Sequence, residues 1–521
     1  MIESGDITVL SVVSAVFLLI FLRVVLGILH RYINFLTYPL RGVVKGPKCN
    51  FLVGQFANIR REPFMQPHLR WIQNITGWDV PFVYYSVLFG RPSILVLDKD
   101  IVKTALMAPY GKEPLRFARE TGMLKNVLGN GLVTLKSEDW MRHRQIIQPA
   151  FLANKLKEAL DATVPCLTKR FIGCWKQTEG REIDLGSHLS SLTLDIIGHV
   201  AFSHEFKAVE KIEIWARDGS LPEVDDPFIK ALVRPFRPSI IGFIAFVTGM
   251  PKISYYLNFR LRRVRKALNK AADEAIQNAR KKMTTEKQRS LVQLLLQASE
   301  GGSKHTLSDV ELRDEVKTFV FAGHETTATW CKMAIYALVT NPDVQEKVYQ
   351  DISSHSPGNG EPLDLKTVEK MEYFHAFLQE VLRLYPPAGV LIRINKQEEN
   401  FAGYRIPPNA RLMLSMYLLH RHPKYWDDPE KCLPERWLQK GEENEEFQKR
   451  IRFAFIPFSA GGHNCIGQRF ATIEAKLIMA ELVRNFELRI APSQTDTKFT
   501  FSNLVVSTLK PDIKVVVKSR K

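Results

Sequence analysis

Residues 7–22 form an unbroken, predominantly apolar stretch without charge, and residues 24–29 extend it beyond Arg23. The 23 residues of 7–29 suffice to span a bilayer core of about 30 Å. Glu3 and Asp6 precede this run, and Arg31, Arg41, Lys45 and Lys48 follow it, so the positive-inside rule leaves the C-terminal side in the cytosol. A cleaved export signal is the rival reading, but it lacks a short positive segment before the apolar run. Further on the pattern turns amphipathic. Ser308 and Glu311 spell a capping box before a periodic run that predicts a helix to about residue 339, ended by Asn341 and Pro342. At 1.5 Å per residue, about 30 residues make a rod of about 45 Å. A second periodic run, IGQRFATIEAKLIMAELV, predicts a helix starting at Cys465. Pro386 and Pro387 mark a turn into the strand-like GVLIRINK. With no repeat, low-complexity tract or long Gly/Ser linker, the chain divides into an anchor and linker, 1–44, and one domain, 45–521.

Composition is that of a globular protein, 45% apolar and 24% charged, ample for a core. The formal net charge is +17, from 72 Lys and Arg against 55 Asp and Glu. The positive residues are spread along the chain without a nucleic-acid motif. Anionic lipid headgroups or an acidic electron-donor protein suit them better than nucleic acid. Arg260 to Lys270 (RLRRVRKALNK) reads first as a solvated helix face. The six cysteines form no CxxC pair, so they suggest neither a zinc site nor a disulfide framework, and fit a reducing compartment.

The candidate chemistry lies near the C-terminus, in FSAGGHNCIG at 458–467. Gly461 and Gly462 permit a tight loop that can lie close to a flat macrocycle. A cysteine at a helix start meets free amides and the helix dipole, which stabilise a thiolate and lower its pKa. A thiolate ligand donates electron density to a haem iron and favours O–O cleavage. Read alone, Cys465 is either such a ligand or a buried structural cysteine.

Three further motifs stand upstream. Trp140 and Arg144 share a helix face in SEDWMRHR; AGHETT occupies 322–327 within the long helical pattern; Glu380 and Arg383 form an i, i+3 pair, with Arg436 in LPERW able to complete a Glu–Arg–Arg cluster. In this order and spacing the set resembles the cytochrome P450 family of haem-thiolate monooxygenases, over roughly residues 45–521. One residue departs from the family pattern: His463 stands where arginine usually pairs with a haem propionate. Histidine is shorter and titrates near neutral pH, which puts propionate anchoring in question, and a ligand role for His463 itself is an alternative.

The resemblance implies a mainly α fold with small β-sheets, holding haem between the AGHETT helix and the helix after Cys465. It implies Cys465 as the metal ligand. Trp140, Arg144, Arg393 and His463 would serve as propionate contacts, and Phe458, Gly461, Gly467, Ala322 and Gly323 would surround the ring. Ala322 and Gly323 remove bulk so that the ring or bound oxygen can approach the helix backbone. Glu325 and Thr326 would deliver protons, although threonine can also bond back to its own helix. Glu380, Arg383 and Arg436 read as scaffold, His324 as an outward or packing residue rather than a ligand, and Arg142 and His143 as neighbours of open direction. Lys476 and Arg469 fall on the side where an electron donor would dock.

The implied reaction inserts one oxygen atom from O2 into a small apolar substrate. Because the chain shows no flavin or nicotinamide fingerprint, the electrons would come from a separate NADPH-dependent flavoprotein reductase, with cytochrome b5 as an additional donor. Residues 319–321, 388–392 and 502–505 could line the pocket. The implied location is the endoplasmic reticulum membrane, single-pass, with the catalytic domain cytosolic and a second lipid contact or buried helix at 240–247. Peroxide rearrangement without external electrons, or a haem sensor without turnover, are the rival classes. The proton-relay pair and the pocket-lining segments weigh against them.

Overall fold

The computed structural model describes residues 65–85, 93–109, 117–119, 122–152, 154–219, 259–283, 290–300, 306–358, 360–503 and 506–520, with scattered helical positions between 11 and 37. Among the described residues no helix is long and apolar enough to cross a membrane. Eleven of the 23 residues of the predicted span 7–29, all of 240–247, and residues 504 and 505 lie outside them.

Helices dominate, as expected: α1 (Lys99–Met107), α2 (Ser137–Leu152), α3 (Asn154–Gln177), α4 (Leu185–Phe202), α5 (Phe259–Lys282), α6 (Asp309–Thr340), α7 (Pro342–His355), α8 (Glu372–Leu384) and α9 (Gln468–Asn485) frame the site. The predicted capping box starts α6: the Ser308 hydroxyl accepts from the Glu311 N–H, and the Glu311 carboxylate accepts from the Ser308 N–H at 2.9 Å. Asn341 leaves helical angles at the other end, and Pro342 opens α7 without needing an N–H donor. Buried side chains run along α6 from Leu312 to Leu338. It packs against α4, α5, α8 and α9, the all-round burial of a helix at the centre of a domain.

The strands form small sheets. β1 (Phe82–Tyr85), β2 (Ser93–Val96), β3 (Phe117–Arg119), β5 (Val390–Asn395) and β6 (Arg411–Ser415) make a five-stranded sheet in the order β1-β2-β6-β5-β3, parallel only between β2 and β6. β4 (Ile183–Asp184), β8 (Lys514–Ser519) and β7 (Phe486–Ile490) make another, in the order β4-β8-β7. Alternation puts Val83, Tyr85 and Leu95 into the main core. Phe82, Tyr84, Ile94 and Val96 face a second cluster with Ile101, Leu106 and Ile456. That second cluster seats α1 against the sheet and, through Ile456, against the start of the cysteine loop.

Candidate active site

The loop before α9 is closed by its own backbone: Cys465 N–H donates to Phe458 O at 2.9 Å and Asn464 N–H to Gly461 O at 3.1 Å. Gly461 has φ +70°, and a Cβ there would stand 2.2 Å from Leu106 O at the end of α1. Glycine is therefore required by both conformation and space. The helix begins at Gln468 with Gly467 as its cap, so Cys465 lies in the loop three residues before it. Gly467 N–H donates to the sulfur, yet burial pushes the thiol pKa up, and that hydrogen bond and the charge of Arg144 only partly offset it. This corrects the expectation that the helix start alone yields a thiolate; a bound metal cation would be needed to complete the deprotonation. Cys465 is an exposed residue of the loop, although the protein around it desolvates its thiol.

Trp140 and Arg144 extend from α2. The Trp140 indole is buried and lies 3.8 Å, centroid to centroid, from the His463 ring. Arg144 is aimed at the cysteine loop: Nη1 donates to Asn464 O at 3.0 Å, Nη2 to Asn464 Oδ1 at 2.8 Å, and Nε to Gln148 Oε1 at 3.0 Å. Arg142 and His143, of open direction in the sequence, turn toward α6. His143, almost fully buried, holds Glu315 with Nδ1 at 2.6 Å, and Arg142 pairs with Glu311. Arg393, on β5 as expected, is buried and donates to Ile392 O at 3.2 Å. Strand register sets it opposite Arg119, an arginine the sequence reading did not single out because a three-residue strand carries no pattern.

On α6, Thr326 donates its hydroxyl to Ala322 O at 2.6 Å, leaving its oxygen lone pairs as acceptors. Glu325 is half-buried, 3.5 Å from Ser190 Oγ and from His324 Nε2. His324 is a packing residue, as expected, buried and bonded to Val320 O at 3.1 Å, with its pKa lowered by burial. A Cβ on Gly323 would meet Ile197 Cδ1 at 3.0 Å, so its small size also serves the packing of α6 on α4. Phe458 sits edge-on to Trp330, 6.0 Å between ring centroids.

The expected Glu–Arg–Arg cluster forms at the end of α8. Arg383 grips Glu380 with Nη2 at 2.7 Å and Nε at 2.9 Å, while Arg436 Nε at 3.2 Å, Leu433 N at 3.0 Å and Trp437 Nε1 at 2.9 Å complete the shell. Burial raises the Glu380 carboxyl, but the hydrogen bonds and charge of Arg383 and the charge of Arg436 outweigh it and hold the pKa below its ordinary value. His420, also missed in the sequence, joins this cluster to the loop. Its Nε2 accepts from Ile456 N at 3.0 Å, which leaves Nδ1 to donate to Arg383 O at 3.2 Å. Its full burial holds its pKa at about 3, so it is neutral.

Among the described residues no three His, Cys, Asp or Glu side chains converge on a bare metal ion. A single enclosed cysteine with arginine, tryptophan and histidine around it suits instead a metal whose other ligands come from an anionic macrocycle. The donor set fits haem.

The comparisons with known proteins agree. A family model described as Cytochrome P450 matches residues 44–517. Human "Cytochrome P450 3A7" is 30% identical over 438 residues, 80% of this chain and 81% of that protein. "Lithocholate 6-beta-hydroxylase" of Mesocricetus auratus is 28% identical over 451 residues, 82% of this chain and 83% of that protein. "Probable cytochrome P450 6a13" of Drosophila melanogaster is 27% identical over 488 residues, 91% of this chain and 92% of that protein. A family match of this extent, on a mainly helical fold with a haem-compatible cysteine loop, shows that the chain belongs to the cytochrome P450 family of haem-thiolate monooxygenases.

Proposed function

We propose that Cys465 is the axial ligand and that Glu325 and Thr326 serve proton delivery on the opposite face of the ring. The carrying observation is the exposed Cys465, its sulfur held by Gly467 N–H on a loop that only glycine at 461 allows. Haem, when bound, supplies the oxygen-activating chemistry. The chain's own residues bind and orient. Trp140, Arg144, Arg393 and His463 offer N–H donors for the propionates. Phe458, Gly461 and Gly467 lie against the cysteine side, and Ala322 and Gly323 belong to the oxygen side. Thr326 offers lone pairs at the α6 turn while its proton is held by Ala322 O. Glu325, half-exposed, can take protons from solvent and pass them to that turn.

The substrate is a small apolar molecule, bound between α6 and the start of β5, whose Val390, Leu391 and Ile392 are half-buried. Electrons come from NADPH through a separate flavoprotein reductase, with cytochrome b5 as an additional donor. The residues at 1–44 act as an anchor and linker to the endoplasmic reticulum membrane, with 45–521 as a cytosolic catalytic domain. In support, Leu18, Phe21, Leu22 and Leu29 are helical and half or more exposed.

The test is spectroscopic. Reduced protein under carbon monoxide is expected to show the red-shifted absorption of anionic sulfur ligation, and Cys465→Ser is expected to abolish it. A parent protein lacking that absorption, while folded and haem-loaded, would sink the assignment. With reductase and NADPH, Thr326→Ala is expected to keep haem but divert reduced oxygen to peroxide.

A further inference from the structure

We infer that Arg144 is a positioning residue for the cysteine loop, bracketing Asn464 next to the ligand and setting the charge felt by the sulfur. The inference rests on Cys465 being the axial ligand and goes beyond the propionate role proposed for Arg144 above. Three guanidinium nitrogens are directed to this side of α2, two of them to one residue, Asn464, through both its backbone oxygen and its side-chain oxygen. A planar fork suits such a two-point contact, whereas an ammonium would not reproduce it. The loop's own hydrogen bonds, Cys465 to Phe458 and Asn464 to Gly461, close it on itself but tie it to no helix upstream. Arg144 provides that tie. One residue before it on α2, His143 is locked to Glu315 of α6. The oxygen-side helix, α2 and the loop are thereby connected in sequence through His143, Arg144 and Asn464.

The charge has a consequence of its own. Arg144 Nη1 and Nη2 are bonded to Asn464, the residue before Cys465, which sets a positive charge beside the ligand's own loop. A positive charge beside the sulfur draws electron density from it and disfavours the oxidised metal, so removing the charge moves the reduction potential to more negative values.

The experiment compares haem-loaded protein with Arg144→Gln, Arg144→Lys, Asn464→Ala and the Arg144→Gln/Asn464→Ala double variant. Readouts are haem per chain, the ferric–ferrous midpoint potential, and the iron–sulfur stretching frequency by resonance Raman. Arg144→Gln is expected to shift the potential negative and raise the stretching frequency in the fraction of protein that carries haem. Asn464→Ala, which loosens the bracket, shifts both readouts in the same direction by less. The double variant matches Arg144→Gln alone, because the two residues act as one unit. Arg144→Lys keeps the charge and stays nearer the parent in potential. The inference is overturned if Asn464→Ala leaves both readouts unchanged, or if the double variant is the sum of the singles. It is equally overturned if Arg144→Gln loses haem with no change in stretching frequency, the signature of a propionate contact alone. Should Arg144→Gln not fold, Asn464→Ala and Arg144→Lys still decide it by the same two readouts. Failure of the ligand reading would appear in the parent protein, as a missing red shift under carbon monoxide, whereas failure of this inference appears only in the variants.

Discussion

Glu474 shows what burial does to one side chain. It projects from α9 beneath Thr327 of α6, and although the two are neighbours, neither its carboxyl oxygens nor the Thr327 hydroxyl reach full hydrogen-bond geometry with a protein group. Burial holds its carboxyl well above the ordinary range, with Thr327 lowering it only slightly. A carboxyl raised on folding keeps a proton that the unfolded chain has lost, so its contribution falls as pH rises above about 4.5, by about 1.4 kcal/mol per pH unit until the folded group ionises. Glu474→Gln is therefore expected to raise the thermal midpoint at neutral pH and to leave it nearly unchanged near pH 4. A midpoint lowered at neutral pH, and by less near pH 4, would show that the carboxyl is held charged. Nothing in the local sequence singles out this glutamate. Its neighbours come from a helix about 150 residues away.

At the scale of elements, the two glycines of the site are expected to behave differently. Gly461→Ala places a Cβ against the backbone oxygen of Leu106 at positive φ, where nothing flexible can yield. A loss of about 1–3 kcal/mol with defective haem uptake is expected, read from the unfolding midpoint and haem per chain. Gly323→Ala meets only the far end of the Ile197 side chain. That chain can turn aside, and alanine favours the helix by about 1 kcal/mol, so the change is expected to be near neutral in stability. The Glu380 cluster acts between elements, since it clamps α8 to the turn Pro434–Trp437 and, through His420, to Ile456 at the entrance of the cysteine loop. Removing the carboxylate by Glu380→Ala leaves two buried guanidinium groups uncompensated, costing about 3–5 kcal/mol. The expected outcome is protein without haem; normal haem content in the purified variant refutes the scaffold role.

At the scale of the whole molecule, pH acts through opposing sets of buried groups. Burial lowers His68 and His420 to about 3 and His188 to about 4. Such histidines stay neutral while the unfolded chain takes up protons, so they lose stability as pH falls below about 6.5. Burial raises Glu474, Glu315 and Asp195, which gain stability as pH falls toward about 4.5, where the unfolded carboxyls become protonated too. Between about pH 6.5 and 4.5 the two sets oppose each other. Below about pH 4.5 only losses remain, from the histidines and from carboxyls held low, such as Glu311 at about 2 and Glu380. A shallow dependence near neutrality and a steep fall beginning near pH 4.5 are expected in the unfolding midpoint. Stability kept to about pH 3 would contradict it.

What the chain determined by itself is what depends on near neighbours. The extent of α6 followed from a capping box, an apolar period and an Asn–Pro stop, all local interactions. Glycine at 461 beside Cys465, and Glu380 three residues from Arg383 on one helix face, were legible because short spacings impose geometry. Tertiary structure alone decided the rest. It turned Arg144 toward Asn464, set Gly323 against Ile197, drew His420 between a charge cluster and a loop, and raised the Cys465 thiol where a helix start alone would lower it. Each of those outcomes depends on burial or on a partner distant in sequence, and one-dimensional spacing carries neither desolvation nor the identity of the opposing side chain.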